Sequence, residues 1–213
     1  MIDVTHEISS ADRQVASRTL EAGEARALTI TRVYDTPLDD LWDACTNAER
    51  LPRWFLPVSG ELRVGGRYQF EGNAGGTIER CEPPRSVAAT WEFGAQITWI
   101  ELRLTPEPDG RTRFVLEHIA GVADEVWAQF GPGAVGVGWD QALLGLSLHF
   151  ASGGEQVDSE AVMAWQTSDE GRRFVELSSE RWAQASIAAG TDAGEAQAAA
   201  ARTTGFYTGE PPA

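Results

Sequence analysis

The segment G-W-D-Q-A-L-L-G-L-S-L-H-F, Gly138–Phe150, is apolar on two sides when wound as a helix. Trp139, Leu143, Leu146 and Phe150 recur at intervals of three and four and share one face, whereas Leu144 and Leu148 share roughly the opposite one. A helix with two apolar sides has protein on both. The spacing therefore predicts a helix held on one side by a sheet from the preceding chain, with its Leu144 and Leu148 side covered by the residues that follow.

The chain before it supplies that sheet. Residues 1–24 are polar and weakly patterned and read as an N-terminal tail. Ala25–Tyr34 alternates with the β-branched content of a strand. At Thr36-Pro37-Leu38-Asp39 the period changes to that of a helix, with Thr36 as N-cap, Pro37 in the first turn, and an apolar stripe of Leu38, Leu41, Trp42 and Cys45. A further helical turn runs from Asn47 towards Leu56-Pro57. Six short strands are expected next, at Glu61–Val64, Arg67–Glu71, Gly76–Glu82, Ser86–Phe93, Gln96–Thr105 and Arg111–Ile119, separated by Gly, Pro and Asp-Gly breaks with hairpin chemistry. Strands joined by short loops make an antiparallel meander. Ala120–Val137 reads as a glycine-hinged loop carrying Val126, Trp127 and Phe130, either a lid or a tucked core edge.

After the break at Ser152-Gly153-Gly154, helices are expected over Val157–Gln166, over Asp169–Ala189 with Ser168 as cap, and from Thr191 or Asp192 to Thr204. Each has few large apolar residues, so they read as a layer on the main domain. The expected division is a tail at 1–24, a domain at 25–152 and a helical extension at 153–213.

Composition bounds the function. The 213 residues are 42% hydrophobic with 8 Trp, enough for a substantial core, and the net charge is −15, every basic residue being Arg. An acidic surface repels phosphate backbones and anionic lipid, which argues against nucleic acid and membrane as partners. No apolar run reaches the roughly 20 residues that span a bilayer. Cys45 and Cys81 form no metal or redox spacing and, with no secretory pattern at the start, read as buried thiols of a cytoplasmic protein. His6, His118 and His149 are scattered, and no G-x-S-x-G, H-E-x-x-H or C-x-x-C occurs, so no metal and no cofactor is expected.

Several phrases along Ala25–Phe150 resemble the SRPBCC (START-like, helix-grip) superfamily, and within it the bacterial homologues of the activator of heat-shock-protein ATPase. They are L-x-x-W-F-L-P at Leu51–Pro57, L-R-V-G-G-R-Y-Q-F at Leu62–Phe70, G-T-I-E-R-C-E-P-P-R at Gly76–Arg85 leading to Thr90-Trp91, L-E-H at Leu116–His118, and G-W-D-Q-A-L-L-G-L at Gly138–Leu146. The resemblance implies an α+β helix-grip fold, a seven-stranded antiparallel sheet curled around a long C-terminal helix with an apolar cavity between them. It also implies that members bind lipids, polyketides or other hydrophobic small molecules, and that a few act as cyclases, hydrolases or co-chaperones. The family has no shared catalytic constellation to carry over. The loop Ala120–Val137 and the chain beyond Gly153 depart from the minimal domain.

Strand alternation indicates which side chains line such a cavity. Tyr68 and Phe70, Trp91, then Gln96, Thr98 and Ile100, then Phe114, Leu116 and His118 fall on inward sets, and Trp127, Trp139 and Leu143 are expected to close the site, a mostly apolar surface with a few polar groups. His118 is the candidate for proton transfer, with Asp124 and Glu125 near enough in sequence to orient it, against a plain hydrogen-bonded core histidine. Trp54, Trp91 and Trp139 serve equally well as core or as pocket floor. The leading reading is binding of a hydrophobic or aromatic small molecule. The alternatives are a protein-interaction or co-chaperone-like module, and a cyclase or hydrolase using His118. A homodimer is left open.

Overall fold

The computed structural model describes residues 2–20, 23–121 and 125–209. Its elements are α1 (Val4–Ser9), β1 (Ala11–Leu20), β2 (Gly23–Tyr34), α2 (Leu38–Thr46), a 3-10 turn at Leu51–Arg53, β3 (Val58–Gly60), β4 (Arg67–Phe70), β5 (Gly75–Glu82), β6 (Ser86–Phe93), β7 (Gln96–Pro106), β8 (Thr112–Gly121), α3 (Glu125–Phe130), α4 (Gly133–Ala151), α5 (Ser159–Gln166), α6 (Asp169–Ala188) and α7 (Ala193–Thr208). The strands form one sheet in the order β1-β2-β8-β7-β6-β5-β4-β3, and the pairs from β3 to β8 run antiparallel. A sheet followed by a long helix is the α+β helix-grip class that the sequence predicts. Among the described residues no helix is long and apolar enough to cross a membrane.

Eight strands stand where seven are expected. The added strand is β1, in the stretch read as a tail, and α1 precedes it. Its pattern escapes a hydrophobicity reading because the inward position between Ala11 and Val15 is Arg13, whose side chain is only 4% exposed. Glu61–Val64 is not a strand. Its alternation is that of a compact turn, in which the Gly66 N–H donates to the Arg63 carbonyl, and pairing with β4 falls instead to β3. Thr36 is not the cap of α2; Pro37 holds that position, and the Thr36 hydroxyl donates to Asp40 Oδ2 at 2.6 Å. The glycine-hinged loop is mostly helix, since α3 and the first turns of α4 lie within it.

Two compact units share the chain, Met1–Ile30 with Gly121–Leu144 and Asp158–Ala213, and Thr31–Ala120 with Gly145–Val157. Neither is a continuous piece of sequence, unlike the division expected above. In the first unit α6 packs against α1, β1, α5 and α7, and α7 packs against α3. Caps expected from the sequence set the starts of the last two helices: Ser168 Oγ accepts from the Gly171 N–H at 3.2 Å, and Asp192 Oδ1 accepts from those of Gly194 and Glu195. Phe174, Val175 and Trp182 of α6 are buried. α4 meets α6 and α7 along a stripe of Gly133, Gly136 and Asp140, where a Cβ on Gly136 would lie 2.3 Å from the Trp182 ring. Leu144 is the next residue on this stripe and is buried, while Leu148 is half-buried. Within the first unit, the side of α4 that meets α6 and α7 thus carries small residues and an acid ahead of Leu144.

In the second unit Leu146 and Phe150 continue the apolar helix face, and Phe150 joins Tyr34 and Phe114 in a cluster with ring centroids 5.9 and 6.0 Å from Tyr34. The helix comes so close to the chain at Trp54 that a Cβ on Gly145 would stand 2.4 Å from the Trp54 carbonyl oxygen.

Candidate functional site

In the second unit the antiparallel registers bring the inward residues of four strands into one row. Ile78 lies opposite Ala89, Ala89 opposite Ile100, and Ile100 opposite His118; beside them Trp91 faces Thr98 and Leu102 faces Leu116. Directly opposed residues share a face of the sheet, so this row is a continuous surface. Tyr68, Phe70, Ile78, Ala89 and Leu51 form its buried core, and Trp54, Phe55, Trp91 and Ile100 pack against that core while remaining partly accessible.

The rings make an unbroken path. Trp54 and Phe55 have centroids 5.6 Å apart, Phe55 and Phe70 5.0 Å, Phe70 and Trp91 5.8 Å, and Trp91 and His118 6.2 Å, with Tyr68 edge-on to Phe70 at 5.5 Å. These are offset and edge-to-face distances at which aromatic pairs attract. Two polar handles are tied back to the backbone: Trp54 Nε1 donates to the Ala44 carbonyl at 2.9 Å, and the Tyr68 hydroxyl to that of Thr90 at 2.6 Å. Burial pushes the Tyr68 phenol above its ordinary range, so it stays a donor.

His118 ends the path. It is 3% exposed, its Nε2 lies 2.9 Å from Thr98 Oγ1, and Thr98 in turn donates to the Trp91 carbonyl at 2.9 Å. A hydroxyl has one proton, and this one goes to Trp91, so Thr98 accepts the Nε2–H of His118. Burial lowers the imidazole pKa to about 4. His118 is therefore a neutral, Nε2-protonated donor at neutral pH.

Of the residues grouped by sequence, Tyr68, Phe70, Trp91, Thr98, Ile100 and His118 come together here. Phe114 and Leu116 share the face, but Phe114 packs into the Tyr34 and Phe150 cluster. Gln96 is a correction: it is exposed at the tip of the β6–β7 hairpin, opposite Phe93, where the sheet ends and alternation no longer implies an interior. Trp127, Trp139 and Leu143 belong to the first unit. Asp124 lies outside the described residues, and Glu125 is exposed at the start of α3.

Each unit also holds a polar network that sequence reading missed. Arg50 donates to His149 Nε2 at 3.1 Å, to Asp40 Oδ1 at 2.6 Å and to Asp43 Oδ2 at 3.1 Å, while His149 Nδ1 lies 2.8 Å from the Glu155 carbonyl. A carbonyl only accepts, so His149 is the Nδ1–H form. In the first unit Asp140 receives Arg13 Nε at 3.1 Å and Nη2 at 2.7 Å, Ser178 Oγ at 2.5 Å and Trp182 Nε1 at 3.0 Å. One signal for it was available: a lone acid on an otherwise apolar helix requires buried donors. Burial pushes the Cys45 thiol up to about 12 and raises that of Cys81, which leaves neither reactive. Among the described residues no cluster of three or more His, Cys, Asp and Glu is arranged to hold a metal ion.

Comparison with known proteins places this arrangement. No curated protein matches the chain. Among solved structures, CalU16 from Micromonospora echinospora is similar in its crystal form (33% identity, TM-score 0.66, covering 85% of this chain and 99% of that one) and in its solution form (36% identity, TM-score 0.67, 84% and 96%). A conserved protein of unknown function from Enterococcus faecalis, EF2215, shares the fold at 13% identity (TM-score 0.57, 86% and 95%). The sequence model described as Activator of Hsp90 ATPase homolog 1-like protein matches residues 35–151. The CalU16 match covers more of the chain than that stretch, so part of the terminal additions is shared with this relative. With the family's stretch filling more than half of the chain and a relative matched over nearly its whole length, the chain belongs to the activator of Hsp90 ATPase homolog 1-like family.

Proposed function

We propose that the chain binds a hydrophobic or aromatic small molecule on the aromatic face of the second unit. The observation that supports this reading most directly is the path of rings from Trp54 to His118, in which large side chains stay half-buried. A site of this composition binds by apolar contact and orients by a few polar groups. The family's fold and the similarity to CalU16 agree with a binding role and name no ligand. His118 supports binding better than proton transfer, because its Nε2 proton is given to Thr98 and an imidazole lowered to about 4 is a weak base. The neutral ring is a fixed polar edge.

Native mass spectrometry of the purified protein, followed by thermal-shift measurements with long-chain fatty acids and polycyclic aromatic ketones, tests the reading. A retained or stabilising organic species is expected. Trp91→Ala is expected to weaken its binding about tenfold while the fold is kept, since a buried ring contributes on the order of 1.5–3 kcal/mol. No binding by any compound of either class, or binding unaffected by Trp91→Ala, would sink it.

A further inference from the structure

A second site is indicated in the first unit, independent of the aromatic face. Elements β1, β2, α3, α6 and α7 line a pocket of about 740 Å³. This lies within the range of small-molecule sites. Trp127, Phe130 and Trp182 provide aromatic walls, and the alanine-rich α7 leaves the volume open, because its small side chains do not fill the space beside α6. Trp182 is held by its bond to Asp140, so one wall is rigid.

Three of the polar groups on the lining lack the partners such groups ordinarily have. Arg26 places its guanidinium 5.9 Å from the Trp127 ring centroid and makes no hydrogen bond or ion pair among the described residues. Arg202 gives Nε to the Gln129 carbonyl at 2.6 Å, which leaves its terminal N–H groups without a hydrogen bond among the described residues. Elsewhere Arg50, Arg67, Arg80, Arg103 and Arg113 sit on carboxylates, whereas Arg53 and Arg181 bond to a carbonyl and an amide. The third group is Ser179, 1% exposed, whose Oγ is buried with no hydrogen-bond partner among the described residues. A buried hydroxyl left unsatisfied is unfavourable unless something answers it. Against the two guanidinium groups stands, among the described residues of the lining, one carboxylate, Glu195, which is exposed.

We infer that this pocket binds a small organic acid: a flat apolar body against Trp127 and Phe130, and an anionic group held by Arg26 and Arg202, with Ser179 as a further donor. Guanidinium groups suit this task because they present several donors to a planar anion and stack on aromatic rings.

The test uses 1-anilinonaphthalene-8-sulfonate, an aromatic anion, beside its uncharged counterpart N-phenyl-1-naphthylamine, on the full chain. The dye's anion is expected to bind with an affinity that falls as salt is added. Binding is expected to weaken about tenfold or more in the double variant Arg26→Gln and Arg202→Gln, as loss of charge-assisted hydrogen bonds requires, while the uncharged compound is unaffected. Ser179→Ala is expected to weaken the dye several-fold and to leave the melting temperature of the free protein unchanged or raised, since no bond is lost. Indole N–H resonances localise the binding: those of Trp127 and Trp182 should move and that of Trp91 should not. Equal affinity in the double variant, or a titration that moves Trp91 instead, overturns the proposal and leaves the reading of the aromatic face as it stands.

Discussion

In the first unit an acidic side chain, Asp140, is enclosed by Arg13, Ser178 and Trp182, whereas in the second a neutral one, His118, is buried and gives its proton to Thr98. Both are nearly inaccessible, but they solve different problems. Four donors from β1 and α6 converge on the carboxylate, and the Arg13 bond ties together segments 127 residues apart. The imidazole gives up its charge and lies against Trp91, so its surroundings stay apolar. A buried acid met by four donors makes a joint, and a buried neutral ring makes a surface on which an apolar ligand loses no polar solvation.

The hardest way to break the contrast is Asp140→Ala. It strands a buried guanidinium, for which a loss of about 3–5 kcal/mol is expected, read as a shift of the urea midpoint. A loss under about 1 kcal/mol would mean that Arg13 reaches water and that the joint is not one.

His118 separates from Asp140 by pH. Its folded pKa of about 4 lies below its ordinary value, so as pH falls the unfolded chain takes up the proton first. Its contribution is complete above pH ~6.5 and is lost progressively towards pH ~4, a difference of about 3 kcal/mol. His118→Asn should lose less stability than the native chain between pH 7.5 and 4.5, with unfolding midpoints as the measure; parallel curves would show that the imidazole protonates in place.

Smaller substitutions sharpen the comparison. Gly136→Ala adds a methyl group 2.3 Å from a Trp182 ring that Asp140 pins. Overpacking of about 1–3 kcal/mol should outweigh the helix-propensity gain of about 1 kcal/mol, lowering the melting temperature. If it rises instead, the wall formed by Trp182 is mobile. Tyr68→Phe removes only the bond to the Thr90 carbonyl and should cost about 1 kcal/mol, the smallest effect, with the aromatic path intact.

Much of the second unit was legible because its signals are local. Alternation in β6, β7 and β8 placed Ile100 with His118 and Leu102 with Leu116 on one face, and the register agrees. Capping chemistry at Ser168 and Asp192 marked two helix starts. Local patterns misled where a strand or turn contradicts its own hydrophobicity. Glu61–Val64 alternates yet is a turn, Gln96 keeps its parity beyond the end of the interior, and β1 hides its parity behind Arg13. The ring path was half visible: its members lie on strands read correctly, but Phe55 and Trp54 join it through a loop whose direction no periodicity encodes.

By itself the sequence determined the α+β class, the helix apolar on two faces and most of the strands, because these follow from spacing along a few consecutive residues, and its phrases carried the resemblance to the family. Only the tertiary structure decided that Arg13 answers Asp140, that His118 is a neutral donor to Thr98, and that Arg26, Arg202 and Ser179 line one pocket. Each of these depends on groups brought together from distant parts of the chain, and on how far each is taken from water. Neither quantity is present in the order of the residues.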